Sequence, residues 1–231
     1  TREAIGFEKA GILRQGIPLV LGDSNPPKSV LKHVAKLQVP MQAIDRDFSV
    51  DEQLEYRLPG ISFASARKAS ELLNFVLSEH EYADIARATR LEGRRTWLRM
   101  GFRVLLDVAH NPASAKYLAE YVKGLGFKGY IHGVFGIYGD KNISGVTQAF
   151  KGQFKTWHLT NMDEARAAGP TEIMLDLPEE DRAAVFTYAK IDSALEGVSQ
   201  MANKDDLVLV FGSFAVVSGA LEYLKNYNSK N

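Results

Sequence analysis

From residue 93 onward, short apolar runs alternate with segments of helical periodicity, and that alternation admits few folds. Residues 102–106, 130–135, 156–159, 184–188 and 207–211 read as strands. Between and after them, 113–125, 143–150, 171–176, 191–203 and 218–226 read as helices. In the first of these helices Ala115, Leu118, Ala119, Val122 and Leu125 fall on one face, as a helix covering a sheet requires. Strands alternating with helices of this length predict right-handed βαβ units and a mostly parallel sheet. The expectation is an α/β, Rossmann-like domain over 92–231.

Residues 1–90 are α/β in texture but lack a full set of strands. The chain opens inside helical sequence, with Gly16 as its stop. Residues 17–22 then read as a strand, and Asn25-Pro26-Pro27 opens a helix running to about Leu37. Two short strands are expected at 39–44 and 53–58. A helix over 65–77 would carry Ala66, Ala69, Leu72, Leu73 and Val76 on one stripe, and another is expected over 82–89. The tail 226–231 is expected to fray.

Bulk composition narrows function mainly by exclusion. Twenty-eight basic residues balance 28 acidic ones, so no global field would gather nucleic acid or an acidic membrane surface. There is no cysteine, which removes disulfides and thiolate metal sites and fits a cytoplasmic location. No apolar run approaches the roughly 18–20 residues that span a bilayer. The charged first residues lead into no long apolar core, so they do not read as a signal peptide. A start without methionine, inside a helix, reads as a cut within a longer protein.

The segment 104–112, Val-Leu-Leu-Asp-Val-Ala-His-Asn-Pro, carries the densest chemistry. A buried strand there ends in polar side chains at the sheet edge where open α/β folds bind ligands. Asp107 can accept two hydrogen bonds from a ribose diol, and His110 can stack on or bond to a nucleoside. Asn111 before Pro112 reads equally as a helix cap. Arg94 is suited to a terminal phosphate, although Arg95 beside it favours a solvated linker. Lys9, next to Glu8 near a helix end, reads as an ordinary surface charge. Ser213, between Gly212 and a helix, offers a hydroxyl near a helix amino terminus; such punctuation is common. Asp140-Lys141 is either a further candidate or a loop ion pair. The chain contains no P-loop or dinucleotide-binding glycine pattern, and His33, His80, His132 and His158 show no metal-ligand spacing.

Four of these segments occur together and in order: Glu8-Lys9-Ala10-Gly11-Ile12; Gly93-Arg94 thirteen residues ahead of Asp107 in Asp-x-Ala-His-Asn-Pro; Asp140-Lys141-Asn142-Ile143; and the closing Gly212-Ser213-Phe214. The set resembles the folylpolyglutamate/dihydrofolate synthases of the Mur ligase superfamily, over nearly the whole chain. The resemblance implies an ATP-dependent amide ligase that adds L-glutamate to dihydropteroate or folate through an acyl phosphate, using Mg²⁺. It implies that 1–90 is the distal part of a central P-loop ATPase domain and 92–231 the carboxyl-terminal Rossmann-like domain. Arg94 would contact the ATP phosphates and Asp107 the ribose, with His110 nearby. Lys9 would match a lysine that becomes N-carboxylated and binds the metal, and Ser213 would meet the incoming glutamate. A cytoplasmic monomer with small-molecule substrates is expected.

The chain also departs from that family. The P-loop, the metal-binding Glu and His and the pterin-binding segment find no counterpart in it, so this polypeptide alone should not ligate. The family's adenine-contacting Asn, ahead of a central-domain helix, is replaced near Ser65. Gly-Arg-Phe-Gln becomes Gly93-Arg94-Arg95-Thr96, which keeps the arginine and loses its packing neighbour. Glu92 stands where proline is usual. A noncatalytic nucleotide- or amino-acid-binding module and a peptidoglycan-precursor ligase of the same superfamily remain as alternatives.

Overall fold

The computed structural model describes residues 1–54, 56 and 58–229. Two units emerge, Thr1–Arg90 and Leu91–Asn231. The first holds α1 (Arg2–Ala10), β1 (Leu19–Leu21), α2 (Lys28–Leu37), β2 (Met41–Ala43), α3 (Gly60–Leu72) and α4 (Glu79–Ala88). Strands β1 and β2 pair in parallel, with Leu19 opposite Met41. Pro27, at the start of α2, offers no capping side chain. Glu3 of α1 supplies the cap instead, accepting the N–H groups of Lys28 and Ser29 at 2.9 and 2.8 Å. Two small apolar clusters hold this unit, one around Ala10, Leu13 and Val39 and one around Phe63, Tyr82 and Ala86.

Four expectations for this unit need correction. Helix α1 stops at Ala10 with Gly11 as cap, and Gly16 merely turns the chain at φ 75°. The helix expected over 65–77 begins five residues earlier, at Gly60, because Pro59 opens it. It ends at Leu72, and Asn74 follows in the left-handed region at φ 61°. Its inward residues are Phe63 and Ala64, while Leu72, Leu73 and Val76 are exposed, so the expected stripe is not the buried one. In place of a strand over 53–58, Gln53, Leu54, Tyr56 and Leu58 lie in turns and irregular backbone; Glu55 and Arg57 are outside the described residues.

The second unit contains β3 (Thr96–Arg99), β4 (Arg103–Asp107), α5 (Pro112–Gly124), β5 (Ile131–Phe135), α6 (Ile143–Gln148), β6 (Thr156–Thr160) and α7 (Pro170–Leu175). A 3₁₀ turn (Glu179–Ala184), β7 (Val185–Tyr188), α8 (Ile191–Ser199), β8 (Leu207–Phe211) and α9 (Phe214–Asn228) complete it. Six strands form one sheet in the order β3-β4-β8-β5-β6-β7. All neighbours are parallel except β3, which runs antiparallel along β4. The fold is therefore α/β with a mostly parallel sheet, plus the small two-stranded sheet of the first unit. Strand β3 had no counterpart in the sequence reading. Helix α9 starts four residues earlier than expected and is regular through Asn228, so 226–228 do not fray.

Side-chain alternation builds both faces of this sheet. Leu207, Leu209 and Phe211 of β8 point into a cluster with α5, α6 and α7; Val208 and Val210 point into another with α8 and α9. Every residue of β8 is fully buried, as a central parallel strand covered on both faces must be. Successive connections diverge at β4 and β8: α5 leaves β4 toward one face, and α9 leaves the adjacent β8 toward the other. The carboxyl ends of these two strands, where Asp107 pairs with Phe211, thus border a topological switch point. No helix among the described residues is long and apolar enough to cross a membrane.

Candidate functional site

At that switch point Asp107 is 93% buried, and both of its carboxylate oxygens are anchored by main chain. Oδ1 accepts the N–H of Ala109 at 2.9 Å, and Oδ2 accepts the N–H of Arg95 at 3.1 Å. The Arg94 guanidinium stands 3.8 Å from Oδ1. Burial pushes this carboxyl above its ordinary value, against the opposing pull of the Arg95 N–H, the Arg94 charge and the Ala109 N–H. Each oxygen keeps a free lone pair, so the group is built to accept two further hydrogen bonds.

The main chain before β3 makes this possible. Val108 donates its N–H to the Gly93 carbonyl at 2.9 Å, and Gly93 donates its own to the Thr96 hydroxyl at 3.0 Å. Gly93 at φ 75° and Arg95 at φ 45° both sit in the left-handed region, which folds the segment back over the end of β4. On the other side, His110 Nδ1 lies 2.8 Å from the Val108 carbonyl. A carbonyl only accepts, so Nδ1 carries a proton and donates it, which leaves Nε2 as the ring nitrogen not engaged by this bond. Phe214, 61% exposed at the start of α9, lies 6.4 Å from the His110 ring and 5.9 Å from the Arg94 guanidinium.

Asn111 is the cap of α5: its side chain accepts the Ser114 N–H at 2.9 Å, and Ser114 Oγ accepts the Asn111 N–H in return. Asn111→Ala is therefore expected to lower stability by about 1 kcal/mol, read by urea unfolding, while any nucleotide binding stays unchanged. Ser213 is also a cap. Its hydroxyl is buried, accepts the Val216 N–H at 3.1 Å and donates to the Met162 sulfur at 2.9 Å. That leaves the first N–H groups of α9, rather than the hydroxyl, as the available donors at this edge. Asp140 and Lys141 form an exposed ion pair at 2.8 Å in the β5–α6 loop.

Two candidates belong to the first unit. Lys9 is exposed in the last turn of α1 and pairs with Glu8 at 3.1 Å. Ser65 lies inside α3 rather than ahead of it, which corrects its expected place. Its hydroxyl covers Gly22 just beyond β1; a Cβ on Gly22 would stand 2.8 Å away. Among the described residues no three His, Asp or Glu side chains come together to hold a metal ion. Lys9 alone does not fit a magnesium site.

The profile described as "Mur ligase, glutamate ligase domain" matches residues 89–214, more than half of the chain. The chain belongs to the Mur ligase family. Among curated relatives of this Mur ligase chain, a dihydrofolate synthase/folylpolyglutamate synthase of Buchnera aphidicola subsp. Schizaphis graminum is 30% identical over 235 residues. The match takes in 94% of this chain and 55% of that protein. Among solved structures, Escherichia coli FolC in complex with DHPP and ADP superposes with a TM-score of 0.87 at 25% identity. It covers 99% of this chain and 58% of FolC. A bifunctional folylpolyglutamate synthase/dihydrofolate synthase with Mn, AMPPNP and L-glutamate bound gives a TM-score of 0.87 at 25% identity, over 97% of this chain and 57% of the other. The Mur ligase chain thus spans a little over half the length of the relatives it matches.

Sequence reasoning passed over two residues of this edge. Phe214 follows the Gly-Ser punctuation at the first position of α9, where an aromatic has no core to enter; that position was the available signal. Arg95 reads as a solvated neighbour of Arg94, yet it supplies one of the two N–H groups that hold Asp107.

Proposed function

We propose that the parent of this chain is an ATP-dependent amide ligase that joins L-glutamate to dihydropteroate or a folate. The γ-phosphoryl group of ATP passes to a substrate carboxylate; the glutamate amine then attacks the acyl phosphate and inorganic phosphate leaves. In this reading 1–90 is the distal part of the ATP-hydrolysing central domain, and 92–231 is the glutamate ligase domain. The observation that carries it is the Asp107 carboxylate, buried at the switch point with two anchored oxygens, two free lone pairs and Arg94 at 3.8 Å. The relatives' bound ADP, AMPPNP and L-glutamate support it.

Asp107 accepts the two ribose hydroxyls, and His110 Nε2 accepts a further donor from the nucleoside. Arg94, whose charge Asp107 only partly offsets at 3.8 Å, is free to turn toward the phosphates and stabilise charge as the phosphoryl group migrates. The start of α9, held by Ser213, offers N–H groups to a carboxylate of the incoming glutamate. Ser65 lines the adenine side of the central domain. Lys9, once carbamylated, would be a metal ligand completed by residues the chain does not contain. Activity therefore requires the P-loop that the sequence lacks, and the setting is a cytoplasmic, monomeric enzyme.

The test is a comparison of ATP with 2′,3′-dideoxy-ATP by calorimetry. Hydrogen bonds to a charged acceptor contribute about 1.5–3 kcal/mol each, so wild type should prefer ATP by at least tenfold. Asp107→Asn should lose most of that preference. Equal affinity of wild type for the two nucleotides would remove Asp107 from the ribose.

A further inference from the structure

Arg95 stands where the family's phenylalanine is replaced, and it has found a different anchor. Its guanidinium carbon lies 4.0 Å from the ring centre of Tyr121 and 4.5 Å from that of Tyr117. These rings sit one turn apart on α5, beside the face formed by Ala115, Leu118, Ala119 and Val122; Tyr117 is exposed, and half-buried Tyr121 packs against that cluster. The same residue holds φ 45°, a backbone conformation unfavourable for any side chain with a Cβ. Its main-chain N–H is the donor to Asp107 Oδ2 at 3.1 Å. A strained residue therefore carries a functional hydrogen bond at its backbone and a double cation–π contact at its tip. Without the second, nothing on the side chain opposes relaxation of the first.

We propose that Arg95 is a positioning residue: its guanidinium, clamped on Tyr117 and Tyr121, holds its own N–H on the Asp107 carboxylate and so fixes that carboxylate for a nucleoside diol. The diol half rests on the function proposed above; the clamp half rests on contacts within the chain. The clamp also couples the helix after β4 to the turn before β3, so that both flanks of Asp107 move as one piece.

Two readouts on the full chain separate these halves. In ¹⁵N–¹H spectra of the free protein, Tyr117→Leu/Tyr121→Leu is expected to shift the Arg95 amide, speed its exchange about tenfold and raise the titration midpoint of Asp107. Tyr117→Phe/Tyr121→Phe keeps both ring faces and should match wild type. Arg95→Gly relieves the left-handed backbone while deleting the clamp, so it should reproduce the leucine pair even if that pair folds poorly. By calorimetry the leucine pair and Arg95→Gly should weaken ATP about tenfold and leave 2′,3′-dideoxy-ATP unchanged. An Asp107 midpoint and Arg95 amide that are the same in wild type and in the leucine pair, which keeps the Arg95 charge, would overturn the clamp. A moved midpoint with no discrimination between the nucleotides in wild type would leave the clamp standing and overturn the ribose assignment.

Discussion

Gly212→Val is expected to destabilise the second unit by roughly 3–5 kcal/mol, the left-handed backbone contributing part and overpacking the rest. Gly212 lies between β8 and α9 at φ 112°. A Cβ there would stand 2.5 Å from the Gly136 carbonyl oxygen and 2.6 Å from the Phe135 ring. Neither neighbour can yield: the carbonyl belongs to backbone that is itself crowded by Thr160 and Val216, and Phe135 is fully buried. The turn would have to move, carrying with it the Ser213 cap and the start of α9. Trp97 and Trp157 are the only tryptophans, and both lie in this unit, so fluorescence during urea unfolding reports on it selectively. A midpoint within experimental error of wild type would show that the turn is looser than these distances require.

Stability of the same unit should fall between about pH 6.5 and pH 4. His158 is fully buried, stacked between Phe186 at 5.3 Å and Tyr188 at 5.6 Å. It is hydrogen-bonded to the Thr156 hydroxyl at 2.9 Å and the Tyr188 hydroxyl at 3.0 Å. Burial, with the nearby His132 charge, draws its imidazole down to about 4. His132 is also drawn down, by burial foremost; its Nε2 stands 3.7 Å from Asp206 Oδ2, too far for a hydrogen bond. Unfolded histidine titrates near 6.5, so below that the unfolded chain takes up a proton that the folded chain refuses. Stability is complete above the unfolded value and declines as pH falls toward the folded one. For His158 the loss reaches about 3 kcal/mol. Asp107 and Asp181, both raised by burial, act in the opposite sense as pH falls.

His158→Phe isolates the histidine contribution. It gives up two hydrogen bonds and lowers stability at pH 7.5, yet its stability should vary less with pH between 7.5 and 4.5. A variant as acid-sensitive as wild type, or a His158 resonance titrating above pH 6, would assign the acid loss to other groups.

The parallel sheet was legible because β4, β5, β6 and β8 are buried on both faces, which leaves uninterrupted apolar runs in β4 and β8 and short, largely apolar segments in β5 and β6 between polar turns. β3 escaped notice because Thr96-Trp97-Leu98-Arg99 is a half-buried antiparallel edge, short and charged at its end. The ends of α3 and α9 were misplaced because Pro59 and Ser213 start those helices ahead of the apolar periodicity. At the site, Asp107 and His110 could be singled out because the apolar run before them places them at a strand end, whereas Arg94 reads as a linker residue and was singled out only by the spacing that resembles the family. The burial of Ser213 could not, since it depends on Met162, 51 residues away. The role of Arg95 was half visible: two tyrosines four apart on a helix are a ready seat for a cation, but only the folded chain shows which one takes it.

Strand order has a consequence for how this polypeptide is made. β8 is inserted between β4 and β5, although about a hundred residues of synthesis separate it from β4. Until that last strand leaves the ribosome, the edges of β4 and β5 that it will join stay open, each a template for pairing with another nascent chain. Truncation ahead of Leu207 would remove the keystone rather than a peripheral strand.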